Sequence, residues 1–295
     1  MLYLFRKAGI TGTQIAWRDA LHEGPVPANL SLEAMSAVRA QYLAARKLGN
    51  PIKIIHDFES RDAQFRKAAT FHETILWFEH DLYDQLQMLQ ILTALDEMRL
   101  EPGRVAIVQS DHYLGTMTVD ELAPLMARRR AVTPATFKSA ARAWGRVTSP
   151  EPADLYAGAQ EDAIGLPFMR AALRRMCEEY PWRDGLSRSQ RQALEAVAFG
   201  PAPVAELFRR AQSREEAMFL GDSAFERVLN DLRDERAPLL EGETGALVPT
   251  ALGRQVLAGD ADWLEALPID RWVGGVHLEP EHTVRWNDDM ARFVP

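Results

Sequence analysis

Thr74-Ile75-Leu76-Trp77-Phe78-Glu79-His80-Asp81-Leu82-Tyr83-Asp84-Gln85-Leu86 is the stretch on which the fold turns. Its first six residues form a continuous apolar, partly β-branched run, the pattern of a parallel strand buried on both faces. His80 and Asp81 interrupt the run. Leu82, Gln85, Leu86, Leu89, Leu92 and Leu95 then recur at helical spacing. A buried strand passing directly into a helix is the first half of a strand–helix–strand unit. The second half follows. Glu101-Pro102-Gly103 reads as a turn, and Arg104-Val105-Ala106-Ile107-Val108-Gln109 as another buried strand ending at Ser110-Asp111-His112.

The pattern extends in both directions. Upstream, Gln14-Ile15-Ala16-Trp17 reads as a strand followed by Arg18-Asp19, and the Gly-Pro and Pro of residues 22–27 mark a loop. Ser31 has the character of an N-cap, with Ala34 where a full capping box would place Glu. A helix is expected to run from there to about residue 48, with helical spacing again over 56–73. Downstream, helices are expected over 119–129 and 134–144. Strands alternating with helices predict an α/β domain over residues 1–147: a mainly parallel sheet in a three-layer arrangement.

Residues 148–152, Thr-Ser-Pro-Glu-Pro, form the best linker candidate. Beyond them the pattern becomes mostly α. Helices are expected over 166–179, 188–199 (capped by Ser187), 204–211 and 225–236. Two short apolar segments around Gly245 and a further helix over 252–257 follow. Three helices and a hairpin have the order of a winged helix, so residues 153–295 read as a winged-helix-like region with a C-terminal tail. In that tail, Gly274-Gly275 allows positive φ or a close backbone approach. Trp272 and Trp286 on either side of the pair need partners. The tail is therefore expected to fold back with both tryptophans buried, and with Val276 and Leu278 alternating with His277 in a short strand.

The chain of 295 residues is 47% hydrophobic and 26% charged, enough for one large or two ordinary globular domains. No apolar run approaches the ~18 residues of a membrane span. The first seven residues are apolar and then basic, the reverse of a secretory signal, so a cytoplasmic location is expected. A single cysteine, Cys177, excludes a disulfide framework and any cysteine-based metal cluster. The net charge of −8 is uneven: residues 1–150 carry +2 and residues 151–295 carry −10. An acidic C-terminal half disfavours phosphate-backbone binding, so tight DNA binding is not expected. No dinucleotide fingerprint, phosphate loop or Gly-x-Ser-x-Gly elbow occurs.

Trp17-Arg18-Asp19-Ala20-Leu21-His22-Glu23-Gly24-Pro25-Val26-Pro27 resembles a signature of the bacterial domain of unknown function 1835 family. Residues 76–86 of the stretch quoted first resemble its second signature. Arg271-Trp272-Val273-Gly274-Gly275-Val276-His277-Leu278 and Trp286 are similar to its tail. The resemblance covers most of the chain and implies a fold rather than a reaction. Members of that family open with a strand and a polar Gly-Asp-Ser-type loop before a helix. Met1 falls inside the position of that helix, so the resemblance implies that the first strand and loop are missing here.

In open α/β sheets, ligands sit at the carboxyl ends of the strands. Asp19, His80-Asp81 and Asp111-His112 each follow a strand, and are expected along one rim. Carboxylates and imidazoles there can hold a divalent cation or act as acid and base. His80 and Asp81 are the candidate catalytic pair. His80 titrates near neutrality, whereas Asp81 also stands where a helix N-cap belongs. Trp17, Asp19, Glu79, Asp84, Gln85, Asp111 and His112 are the candidate ligand-binding residues; which metal or cofactor, if any, is left open. Trp17 and Trp77 also fit a core role, and Arg128-Arg129-Arg130 fits a helix C-terminus unless Arg130 turns into the crevice.

The expected function is binding of a small polar or phosphorylated ligand, with or without metal, at the strand edge of the α/β domain. The alternative is a transcriptional regulator or protein-interaction module using the winged-helix-like region. Residues 225–236 sum to −1, and Glu241-Gly242-Glu243 is acidic, which favours packing or protein contact over DNA.

Overall fold

A computed structural model describes residues 2–243 and 245–294. The fold is mixed α/β with helix predominating. The chain packs as two units. The first comprises residues 1–173 with 274–276, and the second residues 174–273 with 277–295. The division therefore falls beyond the break at 148–152. Among the described residues no helix is long and apolar enough to cross a membrane.

The first unit contains α1 (Leu2–Lys7), α2 (Leu32–Ala45), α3 (Pro51–Phe65), β1 (Thr74–Glu79), α4 (Leu82–Glu97), β2 (Val105–Ser110), α5 (Val119–Ala127), β3 (Arg130–Ala131), α6 (Pro134–Thr148) and α7 (Pro152–Gln160). Its sheet has the order β1-β2-β3. β1 and β2 run parallel in a six-residue register from Thr74 opposite Val105 to Glu79 opposite Ser110. β3 pairs antiparallel with β2 over two residues, Ala131 opposite Ala106 and Arg130 opposite Ile107. The sheet is thus smaller and more mixed than the expected mainly parallel one.

β1, α4 and β2 form because their apolar residues leave no solvent face. Leu82, Leu86, Met88, Leu89, Leu92 and Leu95 of α4 are all buried, and the helix packs against β1 and α6. Asp81 starts it as a true N-cap, accepting from the Asp84 N–H at 3.1 Å. Trp77 points to the opposite face from Leu76 and Phe78. There it meets Phe5 at 4.7 Å between ring centroids, beside Ile10, Leu114 and Leu122.

The expected strand at residues 14–17 does not form. Ala16 is exposed and Ile15 half-buried, so the run has no single apolar face to present to a sheet. Trp17 is held through its side chain instead. Its Nε1 donates to Gln90 Oε1 at 2.9 Å, the Arg61 guanidinium lies 3.9 Å from its ring centroid, and Phe65 meets it edge-on.

The second unit carries the rest of α8 (Met169–Cys177), then α9 (Arg188–Ala198), α10 (Val204–Gln212), α11 (Asp222–Asp231), β4 (Leu240–Glu241), β5 (Val248–Pro249), α12 (Ala251–Ala258), α13 (Trp263–Ala266), β6 (Arg271–Val273), β7 (Val276–Leu278), β8 (Arg285–Asn287) and β9 (Arg292–Val294). Ser187 and Gln190 form a reciprocal capping box at α9. β4 and β5 pair antiparallel. Ala193, Leu194, Phe225, Leu229, Leu247 and Val256 share one core with Trp263, whose Nε1 donates to the Ala237 carbonyl at 2.9 Å.

The tail divides the two tryptophans. Trp286 is 2% exposed, with Phe293 edge-on to it. Trp272 is only half-buried. It stacks flat on His277 at 4.6 Å, and His277 also bonds Asp270 at 2.7 Å. Those partners give His277 a structural role. The glycine pair splits its work. Gly274 takes φ +60°, while Gly275 donates its N–H to the Val147 carbonyl at 2.9 Å at a point too close for any Cβ.

Candidate active site at the ends of β1 and β2

Parallel pairing opens the carboxyl ends of β1 and β2 on one sheet edge, so His80 and Asp111 lie on the same side. Asp19 does not join them, because the strand that would have carried it there is absent. Its side chain is fully buried, and Oδ1 accepts from Arg39 Nε at 2.9 Å. Arg39 also donates to the carbonyls of Ala20, Glu23 and Pro25. Gln87 donates to the Asp19 carbonyl at 3.0 Å. The segment from Trp17 to Pro27 is therefore a clamp wound around a buried arginine. Asp19 and Trp17 are corrected from ligand-binding to structural positions.

Three carboxylates do converge, on the β1 side. Glu79 ends the strand, Asp81 caps α4, and Asp84 lies in the first turn of that helix. One oxygen of each lies within 4.8 Å of the other two. The local chain enforces this. Asp84 Oδ2 accepts from the Glu79 N–H at 2.6 Å, and Gln85 Nε2 donates to the Glu79 carbonyl at 2.7 Å. Glu79 Oε1 accepts from the Leu114 N–H at 2.8 Å, which ties the end of β1 to the loop after β2.

Removal from water disfavours the charged form of each carboxyl, and their mutual repulsion adds to it. Burial, then the Asp84 charge, pushes Glu79 up to about 7. The same two causes push Asp81 up to about 8, and burial pushes Asp84 up to about 6. No basic side chain stands among the charges that shift them. His80 is pushed down by burial and packs beside Tyr113 and Phe168, with ring centroids 5.3 and 5.9 Å away. Burial thus favours its neutral form. Among the described residues, the buried His80 Nδ1 and Gln85 Oε1 have no hydrogen-bond partner. Both stand beside the carboxylates in sequence.

A pH dependence follows. Folded-state values raised above the ordinary carboxyl range near 4 mean that the folded form holds extra protons. The stability they contribute is fully present below about pH 4 and is lost as pH rises through about 6 to 8. In metal-free buffer the protein is expected to melt lower at pH 8.5 than at pH 5. Asp81→Asn, which keeps the cap, should melt roughly 2–4 °C above the native chain at pH 8.5, about 1 kcal/mol, and level with it at pH 4. Differential scanning calorimetry checks this, and identical profiles for the two proteins would contradict it.

Asp111 and His112 face water and bond each other at 2.7 Å, which holds the Asp111 carboxyl below its usual range. They stand on the rim of a groove of about 550 Å³ running along the far side of β2, with Ser110, Glu121, Arg130 and Phe168 also in its wall. The sequence did not point to the groove, and of the arginines that line it only Arg130 was open to turning into the crevice. Three arginines after a helix look like dipole complements, and the outer two stand exposed on the wall of this groove. No family model, curated protein or solved structure matches this chain.

Proposed function

We propose that the first unit binds a small polar ligand at the carboxyl ends of β1 and β2, with a divalent cation held by Glu79, Asp81 and Asp84. The convergence of the three desolvated carboxylates carries this reading. Among the described residues none of the three forms an ion pair, so they either retain protons or take up a cation, and an all-oxygen set suits Mg²⁺ or Mn²⁺. The neutral imidazole of His80 supplies a proton acceptor beside that centre. Gln85 Oε1, buried without a hydrogen-bond partner beside the cluster in sequence, is compatible with the reading.

Cation binding must displace the protons. Calorimetric titration with Mn²⁺ is expected to show affinity about tenfold higher at pH 8 than at pH 6. Glu79→Gln and Asp84→Asn should each abolish most of the heat. Equal binding at the two pH values, or in the variants, would sink the cation reading.

The three-layer description of the first unit is the finer form of this proposal, as is its place in the domain of unknown function 1835 family. That placement rests on the resemblance of residues 17–27, 76–86 and 271–278. In the second unit, the order α9, α10, α11, β4, β5 supports a winged-helix-like module. Its Glu241 and Asp231, with the −10 balance of residues 151–295, favour protein contact over DNA.

A further inference from the structure

Arg128 is the C-cap of α5, with φ −93° and ψ 3°, Arg129 links it to β3, and Arg130 is the first residue of that strand. The middle one turns away. Its Nε bonds Glu73 Oε1 at 2.8 Å, and its NH1 donates to the Met126 carbonyl. The outer two line the 550 Å³ groove. Among the described residues, neither Arg128 nor Arg130 has an ion-pair partner. The acids that share the groove are already engaged: Asp111 with the His112 ring, and Glu121 with the Thr118 N–H and hydroxyl. Met117, Leu125 and Phe168 give the groove an apolar wall.

We infer that this groove takes a small organic phosphate, with its phosphate held by Arg128 and Arg130 and its apolar body laid against Met117, Leu125 and Phe168. Two guanidiniums lining one groove offer several N–H donors to a tetrahedral anion, and each fork can bind two of its oxygens. A volume of about 550 Å³ lies within the range of small-ligand sites. The wall of mixed character selects against free inorganic phosphate, which has no body to bury, and against neutral aromatics, which leave the guanidiniums unpaired. This deepens the proposed ligand site and rests on that reading for its place at the strand edge, but it does not require the cation.

Phenyl phosphate is the probe, titrated calorimetrically into the full-length protein with EDTA and, separately, with Mn²⁺. Phenyl phosphate is expected to bind at least about tenfold more tightly than inorganic phosphate or benzyl alcohol. The Arg128→Gln/Arg130→Gln variant should lose about tenfold or more, and Arg129→Gln less than about twofold. Arg128→Lys/Arg130→Lys should recover only part of the affinity, because an ammonium lacks the fork. All these positions are exposed, so the variants should melt with the native chain, and circular dichroism verifies it. Arginine-dependent binding in EDTA supports the groove even if Mn²⁺ proves inert. Absence of phenyl phosphate binding, or equal binding by the double Gln variant, overturns it even if Mn²⁺ binds at the carboxylates.

Discussion

Arg39→Ala should cost about 3–5 kcal/mol, enough to threaten folding of the first unit. The side chain is fully buried, and its guanidinium serves four acceptors: the Asp19 carboxylate and the carbonyls of Ala20, Glu23 and Pro25. Truncation strands all four away from water. An uncompensated buried charge is the costliest kind of vacancy, and each orphaned carbonyl adds its own desolvation penalty. Arg39→Lys should recover little, because one ammonium cannot reach four acceptors spread over residues 19–25. Urea unfolding, with hydrogen exchange following the amides of α2 and α4, gives the figure. A loss under about 1 kcal/mol would show that the loop is held by something other than this arginine.

Gly275→Ala should cost about 3 kcal/mol. A Cβ there would stand 1.9 Å from the Thr148 carbonyl oxygen and 2.6 Å from that of Ser149. Both are backbone atoms at the end of α6 and cannot swing aside. Relief requires lifting the segment, which also breaks the Gly275 N–H bond to Val147. Gly274→Ala provides the contrast. That position has φ +60°, where the left-handed conformation itself costs alanine about 1–2 kcal/mol. Gly145→Ala, in a helix with open space around it, should be neutral or slightly stabilising. Equal costs at 274 and 275 would remove the close approach from the explanation.

Elements that the sequence announced are those whose physics is local. β1, β2 and α4 are continuous apolar stretches bounded by turn residues. The Asp81 cap follows from an acid placed just before a helical repeat, and both glycines of the tail did what their freedom allows. Elements it mistook depend on distant chain. Gln14 to Trp17 is apolar enough for a strand, but nothing in those four residues says that Trp17 will be taken by Gln90 and Arg61. Asp19 looked like a rim residue because its partner lies twenty positions away on an amphipathic helix, where a buried arginine has no distinguishing pattern. Trp272 looked like core, and stacks on a histidine near the surface instead. Glu79, Asp81 and Asp84 were each visible as polar groups at a strand end. Their meeting within 4.8 Å depends on the tight passage from β1 into α4, and their raised values depend on burial that sequence does not show.

The carboxylate cluster as a cation centre is tested most directly by crystals grown with Mn²⁺ at pH 8 and measured at a wavelength where manganese scatters anomalously. The expected result is an anomalous peak between Glu79, Asp81 and Asp84, with carboxylate oxygens at about 2.1–2.2 Å, that disappears in crystals of Asp84→Asn grown identically. A map with no peak at this position, or with manganese only at exposed surface acids, would contradict the assignment.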